Sequence, residues 1–318
     1  VDCKMGLLEE EGHEEEGKFL HSLLGSASSG LFARIICHPL DTCKSRIQGP
    51  DGTMFRNTAQ TFLTTMREEG LRGLYRGFGA VLVGGTPGLM IYLTSYELCK
   101  DFMVSRLPSS LESLAYISSG FIAEGLCCVL FVPVDVVKER LQVQRNLASH
   151  SGKYKNSFDA FKKIIRHEGF RGIYKGYGAT MLSFGPYSAL YFGFYEKMKD
   201  LSSSFTSHLV EDLPFVYLLG SATASASVAS WITNPLDLAK LRLQVQRADQ
   251  RIQKQGPMKS PPSHKYSSML DGVIKIYRNE GLRGLYRGAG ARVAFQAPNM
   301  ALTVSLFDTC KSFFASIV

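Results

Sequence analysis

Three long stretches of this 318-residue chain contain no aspartate, glutamate, lysine or arginine: residues 77–96, 177–195 and 214–236. A helix needs about 20 apolar residues to cross the hydrocarbon core of a bilayer, and each stretch is long enough. Glycine, alanine and serine are frequent inside them, as expected where membrane helices pack closely. The alternative is a soluble protein that buries three such helices in its core. The absence of charge favours a membrane protein over the two soluble domains that length alone would suggest.

The sequence also lacks the patterns of metal and catalytic sites. Its seven cysteines have neither paired nor metal-ligand spacing, and the adjacent Cys127 and Cys128 lie in an apolar run, so we expect reduced, buried thiols. No nucleophile and base occur at a recognisable spacing, and no strand precedes the glycine-rich segments, as a dinucleotide-binding loop would require. We therefore expect neither an enzyme nor a bound metal.

The net charge of +8 at pH 7 does not require a nucleic-acid partner. The basic residues lie in the short segments between apolar runs, where they suit contact with anionic lipid head groups. An acidic run at residues 9–16 is typical of a solvated tail.

The chain contains one motif in three copies: proline, aspartate, lysine and arginine at fixed offsets, followed by a glutamine. The copies begin about 100 residues apart, a period that suits a module of a few helices rather than a solenoid. The copies are Pro39, Asp41, Lys44, Arg46 and Gln48; Pro133, Asp135, Lys138, Arg140 and Gln142; and Pro235, Asp237, Lys240, Arg242 and Gln244.

Two further signatures repeat in the same register. A Glu-Gly pair is followed by an arginine and then by a Tyr-Arg-Gly or Tyr-Lys-Gly triplet, and each unit ends in an aromatic residue, an acid and a lysine. The Glu-Gly segments are residues 69–77, 168–176 and 280–288, and the aromatic-acid segments are 96–100, 195–199 and 307–311. Because all of these matches follow the same order, the chain is three copies of one unit.

Each unit is predicted to be all-α, with a long helix, a short amphipathic helix and a second long helix. The short helix is clearest at residues 157–167, where Phe158, Phe161 and Ile164 recur at helical spacing. We expect the motif proline to bend the first long helix, because proline removes a backbone hydrogen bond. The first long helices are predicted at about 19–48, 112–143 and 213–246. The predicted divisions are an acidic tail at 1–18 and repeats at 19–106, 107–205 and 206–318, with a loop inserted at 249–265.

With all three motif copies intact between residues 20 and 314, the chain resembles the mitochondrial carrier family. The resemblance implies six transmembrane helices in three tandem two-helix repeats with threefold pseudosymmetry, plus three short matrix-side helices. It also implies a multi-pass protein of the mitochondrial inner membrane, monomeric as a transport unit. One central site would open alternately to the two sides and bind a small-molecule substrate.

The aspartates and lysines of the proline motif are expected to form an ion-pair ring that closes the matrix side. Aspartate and lysine three residues apart share one helix face, so each can pair with a neighbouring repeat. The expected pairs are Asp41 with Lys138, Asp135 with Lys240 and Asp237 with Lys44, above the glutamines Gln48, Gln142 and Gln244, which resemble the family's braces. The alternative is a set of ordinary surface ion pairs, each contributing about 0–1 kcal/mol.

A second ring is expected at the cytoplasmic end. The expected pairs are Glu97 with Lys199, Glu196 with Lys311, and Asp308 with Lys100. Tyr96 and Tyr195 resemble bracing hydroxyls, which Phe307 cannot supply. Two rings that compete would form the bistable element that switching requires, and substrate must bind the intermediate better than either closed state.

The Tyr-Arg-Gly and Tyr-Lys-Gly triplets resemble cardiolipin-binding helix starts, where backbone N–H groups and the helix dipole meet a phosphate. The alternative is a simple glycine turn. The residues concerned are Arg76, Gly77, Lys175, Gly176, Arg287 and Gly288.

In this family the substrate is met near the middle of the second helix of each repeat. Those positions are Gly84, Ser183, Phe184 and Gln296, and none of them is charged. Charge is offered instead by Arg34 and Glu124 in the first helices, and intramembrane ionisable residues are candidates for function. Together they could hold a zwitterion, although each could instead form a structural ion pair.

The substrate resemblances are partial. Glu124 and the sequence around Asp41 resemble S-adenosylmethionine carriers, whereas Gln296 and its neighbours resemble mitoferrin-type iron carriers. A fixed cation at Arg34 would repel a metal ion. The alternative function is a carrier fold retained as an accessory or structural subunit of an inner-membrane assembly, for which degenerate gates would be typical.

Overall fold

The structure, a computed structural model, describes residues 2–50, 52–106, 108, 112–144, 154–206, 213–246 and 266–316. Within these ranges the secondary structure is helical and contains no strand. The α-helices are α1 (Asp2–Gln48), α2 (Thr58–Leu74), α3 (Phe78–Val104), α4 (Glu112–Val143), α5 (Ser157–Ile173), α6 (Tyr177–Thr206), α7 (Phe215–Ile232), α8 (Asn234–Val245), α9 (Met269–Leu285) and α10 (Ala289–Ala315).

Each repeat has the predicted order of long, short and long helix. The first long helices are α1, α4 and the pair α7–α8; the short ones are α2, α5 and α9; the second long ones are α3, α6 and α10. Helices α1 and α4 continue through Pro39 and Pro133. In the third repeat the helix divides at Thr233, just before Pro235, where the proline cannot donate the next helical hydrogen bond.

Helix α1 begins at Asp2, well before the predicted start near residue 19. No proline occurs before Pro39, so none interrupts the helix over this segment. The acidic run is therefore part of the same helix as the first proline motif. The inserted loop predicted at residues 249–265 lies outside the described residues.

A glycine breaks each short helix just after its glutamate, so the helix predicted at residues 157–167 is followed in α5 by a further helical turn beyond Gly169. Gly70, Gly169 and Gly281 have φ of 65°, 66° and 68°, a left-handed conformation that favours glycine. The inner face of α5 buries Ala160 and Ile164. Each short helix therefore turns sharply before its triplet leads into the next long helix.

The helices pack as a closed series of neighbours. Helix α3 packs against α4, α6 packs against α7, and α10 packs against both α7 and α1. Close approaches occur at glycine: a Cβ at Gly25 would lie 3.0 Å from the backbone of Lys311, and one at Gly84 would lie 2.2 Å from Val134 Cγ2. The first and last helices of the chain thereby meet.

Three helical stretches within the described ranges are long and apolar enough to cross a membrane: Thr58–Val104, Ser118–Val143 and Phe215–Ile232. The first includes α2 and α3, and the third matches one of the uncharged stretches. The uncharged stretch at residues 177–195 in α6 is not among them, because its several tyrosine, serine and glycine residues lower its mean hydropathy.

Candidate functional site

Six charged residues of the proline motifs meet where α1, α4 and α8 converge. Lys138 Nζ lies 2.8 Å from Asp41 Oδ2, Lys240 Nζ lies 2.9 Å from Asp135 Oδ2, and Lys44 Nζ lies 2.7 Å from Asp237 Oδ2. These are the three cross-repeat pairs that the motif spacing led us to expect. We call this set the aspartate–lysine ring.

The aspartate–lysine ring is withdrawn from solvent. Asp41 and Lys138 are 4% and 8% exposed. Removing one partner from a buried pair would leave the other charge uncompensated, at a cost of about 3–5 kcal/mol. These are not ordinary surface ion pairs, so the three contacts constrain how the three helices meet.

Two of the three glutamines support an aspartate of the ring directly. Gln142 Nε2 donates to Asp41 Oδ2 at 3.1 Å, and Gln244 Nε2 donates to Asp135 Oδ2 at 3.1 Å. Gln48 differs, since its Nε2 donates to Asn234 Oδ1 at 3.0 Å. The expected set of equivalent braces is therefore wrong for Gln48. The reason is that Asn234, the residue before the third motif proline, offers an amide oxygen to it.

The ring is unequal in a second way, because two more charged groups join it. Glu139 Oε1 lies 3.1 Å from Lys138 Nζ, so this lysine contacts two carboxylates. Arg292 Nε of α10 lies 3.5 Å from Asp237 Oδ2, so this aspartate contacts two cations. Arg292 has a detectable signal in the sequence, since it is the one charged residue between 289 and 307.

The arginine of each proline motif holds a role that the sequence analysis did not assign. Arg46 Nη1 lies 2.8 Å from Glu69, Arg140 Nη1 lies 2.5 Å from Glu168, and Arg242 pairs with Glu280. Each arginine thus joins its long helix to the Glu-Gly pair of its own repeat. The arginine has the same place in each proline motif, and the glutamate has the same place in each Glu-Gly segment. This repetition is a signal that could have suggested the pairing.

The same arginines also reach the next repeat. The Nε of Arg46 donates to the carbonyl of Gln142 at 3.1 Å, and Arg140 Nε donates to the carbonyl of Gln244 at 3.0 Å. Arg242 Nε donates to the carbonyl of Gln48 at 3.3 Å and completes the circuit. We call these three arginines with their glutamates the clasps.

The aromatic-acid segments lie at the other ends of the long helices and make no cross-repeat pair within the described residues. Lys100 pairs with Glu97 of its own helix, and the ammonium of Lys199 lies 5.0 Å from the ring centroid of Tyr195. Glu196 is exposed, and Tyr96 lies beneath Lys100 with the ammonium 5.9 Å from its ring centroid. No ion pair joins Glu196 to Lys311 in the described part of the chain. The side chain of Asp308 lies outside the described residues.

Arg34 and Glu124 lie on the helix faces that carry the ring aspartates. Arg34 precedes Asp41 by about two turns and Glu124 precedes Asp135 by about three, at 3.6 residues per turn. Both side chains are half-buried, and neither makes an ion pair with a described residue. The Cys128 thiol donates to Glu124 Oε1 at 3.3 Å. Neither charge belongs to the aspartate–lysine ring.

The candidate positions in the second helices differ in what they contact. Gln296 Nε2 donates to the Tyr187 hydroxyl at 2.7 Å, and the Arg292 guanidinium lies 5.8 Å from the Tyr187 ring centroid. Phe184 is 43% exposed and meets the edge of Tyr92 at 6.4 Å between centroids. The Ser183 hydroxyl donates to the carbonyl of Thr180 at 3.0 Å.

The expectation that Gly84 contacts the substrate is wrong. It is buried, and an added Cβ would lie 2.2 Å from Val134 Cγ2 on α4. The glycine is explained by the close packing of α3 on α4, so Gly84 does not belong to the proposed binding site.

The backbone conformation and the close packing of the triplet segments explain why glycine occurs there. Gly77, Gly176 and Gly288 have φ of 84°, 86° and 76°. A Cβ at Gly176 would lie 2.8 Å from Gln244 Cγ, and one at Gly288 would lie 2.7 Å from Gln48 Cγ. The neighbouring cations are engaged within the protein: Arg76 pairs with Glu69 at 3.0 Å, Arg287 pairs with Glu280 at 2.9 Å, and Lys175 donates to the carbonyl of Gln246 at 2.9 Å. A lipid phosphate would meet mainly backbone N–H groups at these turns.

The described residues contain no group of three or more histidine, cysteine, aspartate and glutamate side chains placed to hold a metal ion. The candidate positions carry a guanidinium, a carboxylate, a hydroxyl, an aromatic ring and an amide, at Arg34, Glu124, Ser183, Phe184 and Gln296. Such groups can bind a charged or polar organic solute.

Comparison with known proteins gives matches along most of the chain. A family model described as "Mitochondrial carrier protein" matches residues 15–107, 109–205 and 211–317. The chain is 33% identical over 314 residues to mitochondrial substrate carrier family protein E of Dictyostelium discoideum, covering 96% of this chain and 99% of that protein. It is 30% identical over 312 residues to mitoferrin of the same organism, covering 95% and 97%. It is 29% identical over 293 residues to mitochondrial nicotinamide adenine dinucleotide transporter 1 of Saccharomyces cerevisiae, covering 90% and 74%.

Proposed function

Since the chain belongs to the mitochondrial carrier family, we propose that it moves a small solute across the inner mitochondrial membrane by alternating access. Members of this family are transporters, so the expectation that the protein is not an enzyme is confirmed. The proposal adds six membrane spans arranged with threefold pseudosymmetry around one central binding site, in a monomeric transport unit.

The observation that carries the mechanism is the difference between the two ends of the long helices. The aspartate–lysine ring has all three cross-repeat pairs made. At the other end, Lys100 pairs within its own helix. In the proposed cycle this conformation is closed to the matrix and open to the intermembrane space. Opening the ring and pairing Glu97, Glu196 and Asp308 with Lys199, Lys311 and Lys100 would reverse the access.

The proposed binding site combines Arg34, Glu124, Ser183, Phe184 and Gln296. Arg34 would meet an anionic group of the solute, Glu124 a cationic group, and Gln296 a hydrogen-bonding group. Because each charge is half-buried and lacks an ionic partner among the described residues, a solute that supplies both partners would relieve two desolvated charges at once. We therefore propose a small metabolite with separated opposite charges, such as a zwitterion.

The names of the relatives do not identify the solute of this chain. Mitoferrin suggests iron, and the yeast protein suggests a dinucleotide. The fixed positive charge of Arg34 disfavours a free metal ion by electrostatic repulsion. The open aromatic edge of Phe184 is compatible with a solute that has a planar part.

Arg292 would connect the proposed binding site to the aspartate–lysine ring. Its guanidinium contacts both Asp237 of the ring and the Tyr187 ring, and Tyr187 contacts Gln296. A solute that displaces the Gln296 amide from Tyr187 would disturb the support of Arg292 beside the ring. This chain of contacts would connect occupation of the site to opening of the matrix side.

The test is a thermal-shift screen of the purified protein against a metabolite library, because a ligand that binds only the folded state raises its stability. The identified solute should then move across proteoliposomes that contain the wild type. Arg34→Ala and Glu124→Ala should each abolish the solute-dependent shift while keeping the apo melting temperature. If both variants keep the full shift, the proposed site is wrong even if transport itself is real.

We further propose that the triplet glycines bind cardiolipin through their backbone N–H groups, near Arg76, Lys175 and Arg287. The alternative function, an accessory subunit of an inner-membrane assembly, is not favoured, because the relatives include named transporters and the aspartate–lysine ring is intact. Failure of any solute to bind or move, together with co-purification of a stable membrane complex, would reverse that preference.

A further inference from the structure

The second repeat adds an acid to the aspartate–lysine ring. Glu139 follows the ring lysine Lys138. The same place in the other repeats is held by the uncharged residues Ser45 and Leu241. Glu139 is 5% exposed, its Oε1 lies 3.1 Å from Lys138 Nζ, and its Oε2 accepts no hydrogen bond from a described residue. Since Glu139 and Lys138 are both on α4, their ion pair can persist when a neighbouring helix moves away.

The third repeat adds a cation to the ring. Arg292 follows the triplet glycine of α10 at the place where the other repeats have Val81 and Thr180. Its Nε lies 3.5 Å from Asp237 Oδ2 on α8, and its Nη1 donates to the carbonyl of Ser230 on α7 at 3.0 Å. Because these helices all belong to one repeat, Arg292 can keep its contact with Asp237 when another repeat moves.

These two additions make the ends of the three helices unequal in net charge, when the groups in ion-pair contact within the ring are counted. The end of α1 carries one acid and one lysine and is neutral. The end of α4 carries two acids and one lysine, and so has one net negative charge. The end of α8 together with α10 carries one acid and two cations, and so has one net positive charge. The groups counted are Asp41 and Lys44 on α1; Asp135, Lys138 and Glu139 on α4; and Asp237, Lys240 and Arg292 in the third repeat.

The net charges decide which helix end can leave the ring at the lowest electrostatic cost. Moving α4 or α8 away would separate opposite net charges in a region withdrawn from water, where their attraction is strong. Moving α1 away separates two neutral groups. The acid and the lysine of α1 are three residues apart and can then pair with each other. The pairs that stay behind are Asp135 with Lys240, Lys138 with Glu139, and Asp237 with Arg292.

The glutamine hydrogen bonds show that α1 is held less firmly to α8 than α8 is held to α4. Gln244 of α8 donates to the charged acceptor Asp135 of α4. Gln48 of α1 donates instead to Asn234 of α8, which is neutral. Hydrogen bonds to charged groups contribute more than those between neutral groups. The contact between α4 and α8 therefore combines an ion pair that has no added partner with a charged brace.

From this balance of charge we propose that the aspartate–lysine ring opens at α1 while the ends of α4 and α8 stay joined. Glu139 and Arg292 are the positioning residues that select α1. The inference rests on the proposed alternating access, and it specifies the first step by which the matrix side opens. The close contact of Gly25 with Lys311 lies about four turns away from the ring along α1 and can remain as a pivot.

The test measures how fast each ring lysine becomes accessible to a small acetylating reagent. Purified full-length protein in nanodiscs is treated with a limiting dose of acetic anhydride. Mass spectrometry gives the rate at each lysine relative to the same lysine in the denatured protein. Opening at α1 breaks the cross-repeat pairs of Lys44 and Lys138 and leaves that of Lys240. We expect Lys44 and Lys138 to react about tenfold faster than Lys240, a ratio that corresponds to about 1.4 kcal/mol.

The double variant E139Q/R292Q removes both added charges and makes all three helix ends neutral. Its three ring lysines should therefore react at rates within about twofold of one another, because no helix end then has an electrostatic advantage. The conservative variant E139D/R292K keeps the charges and should keep most of the preference. The control D200N/R166Q removes one acid and one cation from exposed positions outside the ring and should leave the preference unchanged.

The single variant R292Q separates this proposal from a local effect. It should slow the acetylation of Lys138, although the ion pairs of that lysine are with Asp41 and Glu139. The reason is that Lys44 and Lys138 become accessible in the same movement of α1. A local effect of Arg292 on its neighbour Asp237 would slow Lys44 alone.

Equal relative rates at the three ring lysines of the wild type would overturn the proposal, as would a preference for Lys44 and Lys138 that survives in E139Q/R292Q. Faster reaction of Lys240 than of Lys44 would place the opening at another helix and would also overturn it. The assay needs no transported solute. Solute uptake into proteoliposomes together with equal lysine rates would refute this inference alone and leave the proposed transport intact.

Discussion

The two ends of the long helices use the same chemistry at the same spacing and reach different outcomes. Asp41 and Lys44, like Glu97 and Lys100, are an acid and a lysine three residues apart on one helix. Lys44 pairs with Asp237 of another repeat, whereas Lys100 pairs with Glu97 of its own. An acid and a lysine at this spacing can always pair locally. Cross-repeat pairing therefore depends on how close neighbouring helices come, and among the described residues it occurs only at the end that carries the aspartate–lysine ring.

The ion pairs at the two ends also differ in burial, and therefore in the free energy lost when one partner is removed. The side chains of Lys138 and Asp41 are 10% and 6% exposed, against 27% and 41% for Lys100 and Glu97. A buried pair that loses one partner costs about 3–5 kcal/mol, whereas an exposed pair contributes about 0–1 kcal/mol. The variants below test this contrast, beginning with the largest expected effect.

Asp41→Lys should destabilise the protein most, by about 4–5 kcal/mol, because it places a third cation beside Lys138 and Lys44 and removes the acceptor of Gln142. Adding Lys138→Asp restores an opposite-charge pair and should recover part of the loss and part of the transport. Denaturant unfolding of the two single variants and the double variant gives the coupling energy. A double variant that is no better than the sum of the single ones would contradict the pairing.

Arg140→Ala should cost about 3 kcal/mol, because it removes a buried ion pair with Glu168 and the bond to the Gln244 carbonyl. The matched control is Lys163→Ala, which breaks the more exposed pair with Asp159 on the same short helix. That change should stay below about 1 kcal/mol. Similar melting temperatures for the two variants would show that the clasp contributes little.

Gly84→Ala should cost about 1–3 kcal/mol, since its methyl group would overlap Val134. Gly85→Ala is the control, because the nearest atom to its Cβ is 3.7 Å away. Adding Val134→Ala to the first variant should recover most of the stability. If Gly84→Ala instead removed solute binding at full stability, Gly84 would return to the binding site.

Glu97→Gln should have the smallest effect on stability, within about 1 kcal/mol, because its partner is exposed and local. The proposed cycle nevertheless uses Glu97 in the opposite conformation, so transport should fall much more than stability does. Initial uptake rates in proteoliposomes, compared with melting temperatures, separate the two quantities. Unchanged uptake would remove Glu97 from the proposed second ring.

The fold could be predicted from the sequence where local pattern decides it. The repeated order of helices and the start of each second long helix at a triplet glycine follow from motif spacing and hydrophobic periodicity. The beginning of α1 at Asp2 did not follow, because a charged run resembles the end of a helix.

The candidate site could be predicted only in part, because its contacts join distant residues. The ring pairs follow from the repeat, since equivalent positions must face equivalent positions. Gln48 departs from that rule because the third repeat has Asn234 before its motif proline, where the other two repeats have different residues. Arg292 contacts the ring although it lies on α10, outside the proline motifs. These exceptions come from residues that occur in one repeat alone, and a search for residues shared by all three repeats does not detect them.

The clasps have a consequence for the order in which the chain can be completed. Each arginine donates to a carbonyl in the last turn of a helix in the next repeat, and the last of these bonds, from Arg242 to the carbonyl of Gln48, joins residues that lie 194 positions apart. A nascent chain that has released only its first two repeats can close one of these bonds and leaves the end of α1 uncapped. The C-terminal repeat is therefore needed to complete the clasps, and a truncated product leaves the last carbonyl of α1 without its arginine donor.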